Sequence, residues 1–472
     1  MTYTVHVSTS DLRSRFCAAM SCMYRDEVPA YGTLVDLVTD INRDTLQRHP
    51  ALARELGATE GIERLSAERH GAIRLGTAEE LATMRRIFAV MGMHPVGYYD
   101  LSVAGIPVHA TAFRPLAPED LAANPFRVFT SLLRLDLVED AALRAEVEAI
   151  LARRNIFSDQ ALRLMERAEM QDGLGEDDAA AFVDALLETF RWHPRACIDR
   201  DTYARLHDVH RLIADVASFG NPHINHLTPR TLDIDAAQAA MPARGIVPKA
   251  IVEGPPPRQC PVLLRQTSFK ALEEPVAFPD GQGRYVEGHH TARFGEIEQR
   301  GAALTQKGRA RYDELLAEAR GDVTPAPDGS NAEAYAERLA RAFAAFPDDW
   351  PTLRVEGLVY FQYSLTEVGA AAAVGNGAEG DIEKLIGRGL VRFDPIVYED
   401  FLPVSAAGIF QSNLGDRAEP AIAADANREA FEAALGVKPV DEFALYAERE
   451  AHSIRACLER LRPAARQMQE AG

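Results

Sequence analysis

The sequence predicts an α+β fold: two β-α-β-β-β units forming one metal-centred cup, with helical layers before, between and after them. Three observations carry this prediction. First, Glu68-Arg-His-Gly-Ala-Ile-Arg-Leu75 and Asn221-Pro-His-Ile-Asn-His-Leu-Thr228 each read as a strand carrying a histidine. Second, Gly92-Met-His-Pro95 and Gly245-Ile-Val-Pro248 each fall where a helix should stop and a strand begin, 22 residues after His70 and 19 after His226. Third, His289-His-Thr-Ala-Arg-Phe-Gly-Glu-Ile-Glu-Gln-Arg300 reads as one strand with Glu296 and Glu298 on a single face at period two.

Taken in order, residues 1–60 form a helical cover, with Phe16, Met20, Met23, Leu34 and Val38 at apolar positions and Pro29 and Gly32 as punctuation. The first unit spans 61–138: a strand at 69–75, a helix from Thr77 whose Glu80 completes a capping box, and a stop at Gly92. Strands near 95–102, 106–114 and 126–137 complete it. Residues 139–219 interleave acidic and basic residues in a helical pattern and form an inserted helical layer. The second unit spans 220–320, with a strand at 223–232, a helix over 233–244, strands near 248–253 and 261–271, the Glu296 strand and a helix over 305–320. Residues 321–472 form a C-terminal α/β region that completes the pocket. Within it, 353–365 and 389–401 read as strands, 369–380 as a flexible loop and 427–468 as amphipathic helix.

Composition excludes several function classes. Lys and Arg total 51 against 70 Asp and Glu, and no basic patch stands out, so nucleic acid is not an expected partner. No segment has the roughly 18 uncharged apolar residues of a membrane span, and the N-terminus lacks the basic and apolar regions of a leader, so the expected location is cytoplasmic. The five cysteines are an odd number without a Cys-x-x-Cys pair, which suits buried thiols better than a disulfide framework or a structural zinc site.

The chemistry-bearing residues converge on one arrangement. Two imidazoles and one carboxylate leave coordination positions open, as non-haem Fe(II) oxygenases use them to hold substrate and O2. In the first strand His70, Ala72 and Arg74 share a face, which places the guanidinium about 13 Å from the imidazole at Cα and makes Arg74 a candidate anion clamp. In the second, His223 and His226 point to opposite faces, so at most one enters the cup; His226 sits deeper, and His223 reads as a loop-proximal or second-layer donor. Strand periodicity does not choose between Glu296 and Glu298. His207 and His210 have helical ligand spacing but no carboxylate partner, and His289-His290 reads as a solvated pair beside a Gly-rich loop. No Gly-x-Ser-x-Gly elbow and no phosphate loop occur.

Paired β-α-β-β-β units around a metal resemble the vicinal-oxygen-chelate enzymes. More specifically, Val28-Pro-Ala-Tyr-Gly-Thr-Leu-Val35, Glu68-Arg-His-Gly-Ala-Ile-Arg74, His223-Ile-Asn-His-Leu-Thr228, Arg293-Phe-Gly-Glu-Ile-Glu-Gln-Arg-Gly301 and Leu402-Pro-Val-Ser-Ala-Ala-Gly-Ile-Phe410 resemble the bacterial 2-oxoadipate dioxygenase/decarboxylases, also called 2-hydroxyglutarate synthases, of lysine catabolism. The resemblance covers nearly the whole chain. It implies Fe(2+) held by His70, His226 and Glu296, and a pocket for a 2-oxo dicarboxylic acid lined by those residues, Arg74 and Val404. It also implies O2 as the second substrate, with 2-oxoadipate converted to 2-hydroxyglutarate and CO2. Two other readings remain at this stage: an O2-independent glyoxalase-like or isomerase-like metalloenzyme on the same cup, and a protein that only sequesters its ligand.

Overall fold

The computed structural model describes residues 6–59, 62–291, 293–323, 326, 329–375, 377–402 and 421–462. The N-terminal cover is helical, as expected: α1 (Thr9–Glu27), α2 (Pro29–Arg48) and α3 (Pro50–Thr59). Ser8 caps α1 by accepting from the Asp11 amide, and Pro29 starts α2 where a missing N–H leaves no bond unmade. The short α4 (Ile62–Ala67) then leads into β1 (Arg69–Leu75), buried along its whole length.

The segment after β1 follows the expected order closely. Thr77 caps α5 (Ala78–Val90) by accepting from the Glu80 amide, and Gly92 ends it at φ +67. The Glu80 carboxylate does not complete a capping box; it accepts from the Gly76 amide and from Arg154 instead. Strands β2 (His94–Asp100) and β3 (Val108–Arg114), helix α6 (Pro118–Ala123) and strand β4 (Arg127–Leu133) follow.

Residues 139–219 contain helices α7 (Ala141–Leu151), α8 (Asp159–Gln171), α9 (Glu176–Phe190), α10 (Arg200–Val209) and α11 (Arg211–Ser218). Helix α9 packs on α1 and α8, and Phe16, Phe88, Phe113, Phe126, Phe182 and Phe190 belong to the apolar core between these helices and the sheet. Burying each such ring contributes about 1.5–3 kcal/mol.

The chain then enters β5 (Leu227–Pro229), α12 (Ile234–Ala240) and a 3-10 turn that ends at Gly245, φ +74. β6 (Leu264–Ser268), β7 (Glu273–Pro279), β8 (Tyr285–Thr291) and β9 (Glu296–Arg300) complete this part. One sheet has the order β2-β3-β4-β1-β5, with β1 parallel to β4 and antiparallel to β5. β9 pairs antiparallel with β6 and touches the residue after β5 through a parallel bridge between Arg230 and Glu298.

Several expectations give way here. The stretch 289–300 is not one strand: β8 forms a hairpin with β7 across the Gly281 and Gly283 turn, whereas β9 turns away to pair with β6. Gly295 sits at the break, where a Cβ would lie 2.2 Å from Phe269 Cε1. The expected strand at 223–232 shrinks to three residues, and 248–253 contributes only bridges, Pro248 to Phe269 and Glu253 to Gln266.

The C-terminal part also departs from expectation. Residues 350–355 are helical because Asp349 caps them by accepting from the Thr352 amide, so the strand starts only at β10 (Phe361–Leu365). It pairs with β11 (Val391–Pro395). The supposed loop at 369–380 holds the helix Glu367–Val374, capped by Thr366, whose alanine run favours helix over coil. Helix Glu442–Leu461 packs on β10, helices Gln306–Asp322 and Ala332–Phe343 pack on each other, and all three share an apolar cluster with the hairpin, Cys260, Val262, Leu263 and Leu264. Among the described residues no helix is long and apolar enough to cross a membrane, and the five cysteines are free thiols, three buried.

Candidate metal centre

His70, His226 and Glu296 come together from three neighbouring segments. His70 is on β1, opposite Thr228 of β5; His226 immediately precedes β5; Glu296 opens β9. All three are fully buried, and their ligand atoms lie within 4.8 Å of one another. Gly71 permits the close approach: a Cβ there would stand 2.7 Å from Ile224 Cδ1 and 3.1 Å from the His226 carbonyl oxygen. The helical cover holds the same place, since the Tyr24 hydroxyl reaches the carbonyls of Asn225 at 2.9 Å and Phe294 at 2.8 Å. One tyrosine of α1 thus ties down the residue before His226 and the residue two before Glu296.

The donor atoms fit a bound cation. Both nitrogens of His226 and Glu296 Oε2 are buried without a hydrogen-bond partner, a costly state unless something positive sits between them. Burial, aided by His70 and Arg74, holds the His226 pKa well below the ordinary range, so its lone pair is available. Glu296 Oε1 already accepts from Gln266 Nε2 at 2.9 Å and Thr228 Oγ1 at 3.2 Å, which leaves Oε2 as the unpartnered oxygen. Burial raises the Glu296 pKa, opposed by its contact with His70.

Glu298 occupies a different place from its neighbour two residues away. His70 stands between the two carboxylates, Nε2 at 3.1 Å from Glu296 Oε1 and Nδ1 at 3.1 Å from Glu298 Oε2. Glu298 faces Nδ1 as a charge rather than as an aligned hydrogen-bond acceptor, which favours the proton on that side and leaves Nε2 toward Glu296. Glu298 is in turn gripped by Arg300, Nε at 2.8 Å and Nη2 at 3.0 Å. Behind them Glu68 binds Arg64, Arg127, Arg230 and Arg300, and Glu399 binds Arg64 and Arg127. Burial opposes ionisation of Glu298, but Arg300 and His70 outweigh it and bring its pKa to about 2.

Arg74 lies farther along β1, where its Nη1 donates to Asp215 Oδ2 of α11 at 2.6 Å. Asp215 Oδ1 also meets His290 Nε2 at 2.9 Å and His223 Nε2 at 3.5 Å. His290 is therefore not solvated: it is buried against Phe219 and Tyr203, while His289 alone remains exposed. His207 and His210 join neither cluster, and His210 instead caps α11 through Nδ1. Val404 lies outside the described residues.

Sequence reasoning did not find Asp215, Gln266, Thr228, Arg300 or the Glu68 network. Asp215 reads locally as one charge among many in an amphipathic helix. Gln266 and Thr228 meet Glu296 from 30 and 68 residues away, and Glu68 gathers arginines from 59 to 232 residues along the chain besides the nearby Arg64.

Comparison with known proteins places these residues in context. A family model described as 2-oxoadipate dioxygenase/decarboxylase matches residues 16–413. The Pseudomonas putida protein of that name is 58% identical over 455 residues, covering 96% of this chain and 98% of its own. The Escherichia coli protein of the same name is 53% identical over 451 residues, with 96% and 98% covered. The crystal structure of hydroxyglutarate synthase from Pseudomonas putida in complex with 2-oxoadipate superposes with a TM-score of 0.90 at 58% identity, covering 97% of this chain and 99% of that one.

Proposed function

The chain belongs to the 2-oxoadipate dioxygenase/decarboxylase family, and on that premise we propose that it converts 2-oxoadipate and O2 to 2-hydroxyglutarate and CO2, with Fe(2+) held by His70, His226 and Glu296. The observation that carries this reading is the buried meeting of two imidazoles and one carboxylate, in which both His226 nitrogens and Glu296 Oε2 lack a hydrogen-bond partner. Iron in such a set supplies the Lewis acidity and redox chemistry that activate O2 and let a 2-oxo acid lose CO2. The reaction balances without a second cosubstrate: one oxygen atom enters the new carboxylate, the other the hydroxyl group.

The protein's own residues do the rest. The Glu298 charge beside Nδ1 favours the His70 proton on that side, and Gln266 and Thr228 hold Glu296 by one oxygen. Full burial of the three candidate ligands excludes bulk water from them. Arg74, on the same face of β1 as His70, takes the distal carboxylate by charge-assisted hydrogen bonds and so orients the substrate. Val404 lines the pocket by resemblance alone.

We also read the chain as two β-α-β-β-β units, at 61–138 and 220–320, with 1–60, 139–219 and 321–472 as added layers. In its support, 248–253 bridges to β6, β6 pairs with β9, and Arg230 bridges in parallel to Glu298, the same succession as β2-β3-β4-β1.

The test is O2 uptake by anaerobically iron-loaded protein given 2-oxoadipate, with products identified by mass spectrometry. Stoichiometric O2 loss with 2-hydroxyglutarate and CO2 is expected. Product formation that proceeds unchanged without O2 would overturn the oxygenase reading.

A further inference from the structure

Asp215, His223 and His290 form a second buried group whose ligand atoms lie within 4.8 Å of one another. Two functions fit such a cluster: a second cation site, or an anchor for the neighbouring guanidinium. Charge decides between them. Arg74 Nη1 already stands 2.6 Å from the single carboxylate, so a divalent ion there would face a like charge in a site closed to solvent.

The hydrogen bonds form a directed chain. An Asp215 carboxylate accepts from Arg74 on Oδ2 and from His290 Nε2–H on Oδ1, at 2.9 Å. On its other side His290 Nδ1 lies 2.9 Å from the Tyr203 hydroxyl, which extends the chain to α10. Trp192 lies parallel to the His290 ring at 6.0 Å and Phe219 packs at 4.9 Å, so the imidazole has little room to turn. Burial opposes the Asp215 charge, but Arg74 and His290 outweigh it and keep the carboxyl far below its ordinary range.

We infer that Asp215 is a positioning residue: held by His290 and Tyr203, it fixes Arg74 at the depth where the distal carboxylate of the substrate ends. It thereby sets the preference for dicarboxylic over monocarboxylic 2-oxo acids. This rests on the reading of Arg74 as the carboxylate clamp. A guanidinium on a flexible stem loses rotamer freedom when it binds, and an anchored one has already lost it.

The experiment is anaerobic calorimetry on the metal-loaded enzyme with 2-oxoadipate and 2-oxohexanoate, which differ at the distal end. The wild type should prefer 2-oxoadipate. Asp215→Ala should cut that preference about tenfold, the scale of coupling between charged neighbours, with Asp215→Asn between the two. In an Arg74→Ala background the same substitution should add nothing. Equal loss of both ligands, or full additivity with Arg74→Ala, would mean that Asp215 only supports the fold and would overturn the inference. A second bound metal equivalent that disappears in both His223→Ala and His290→Ala would overturn it in favour of a cation site. A wild type without preference would instead remove Arg74 as the clamp, and the inference with it.

Discussion

Replacing Glu298 by glutamine separates its two contacts, the His70 imidazole and the Arg300 guanidinium. Glutamine keeps the volume but offers one acceptor and one amide donor. Arg300 approaches both oxygens, at 2.8 and 3.0 Å, so either amide orientation sets an N–H2 group against an arginine donor. Losing one charge-assisted bond in a buried network costs roughly 1.5–3 kcal/mol, and the whole pair up to about 5. The second consequence falls on the metal. Removing the carboxylate that orients a ligating histidine weakens metal binding about 10–100-fold, or about 1.4–2.7 kcal/mol. Competition with a chromophoric chelator for Co(II) reads the affinity, and urea unfolding of the metal-free protein reads the stability. Both should fall. Affinity within twofold of wild type alongside reduced stability would refute the argument, because Glu298 would then serve the arginine network alone.

Other consequences follow from the same geometry. His70→Ala, His226→Ala and Glu296→Ala should each lose stoichiometric iron by elemental analysis, and full occupancy in any of them would remove that residue from the ligand set. Arg74→Ala should retain iron yet lose roughly 10- to 100-fold in kcat/KM for 2-oxoadipate, the worth of charge-assisted hydrogen bonds; unchanged kinetics would place the clamp elsewhere. Glu442 is pushed up from 4.5 to about 7 by burial and by Asp400. The folded protein therefore keeps a proton that the unfolded chain releases, and stability is lost as pH rises from about 4.5 through about 7. Glu442→Gln removes that loss, so its urea midpoint should match wild type near pH 4.5 and exceed it at pH 8. An equal advantage at both pH values would contradict this assignment.

Local rules made the first half of the site legible. The strand read over 69–75 is β1, Thr77 and Gly92 bound α5 as read, and strand periodicity put His70 and Arg74 on one face. These features depend on dihedral preferences and on burial along a single segment, both of which neighbouring residues set. Periodicity could not separate Glu296 from Glu298, because side chains two apart share a face. The tertiary structure gives them different neighbours: Gln266 and Thr228 come to the first, Arg300 to the second, and His70 stands between. The expected strand at 289–300 broke for a related reason, since β7 and β6 compete for the two ends of that stretch and pairing partners are chosen by the whole sheet.

His290 and Asp215 show the limit most clearly. Beside a Gly-rich turn and within an amphipathic helix, each looks like an ordinary solvated residue. Only when α10, α11 and the β7–β8 hairpin close over the end of β1 do they become a buried chain ending on Arg74. The amino-acid sequence by itself determined the strand, the cap and the face that carries the histidine. The tertiary structure decided which charges meet, because the favourable energy of a buried ion pair exists only after segments more than a hundred residues apart have been brought into contact.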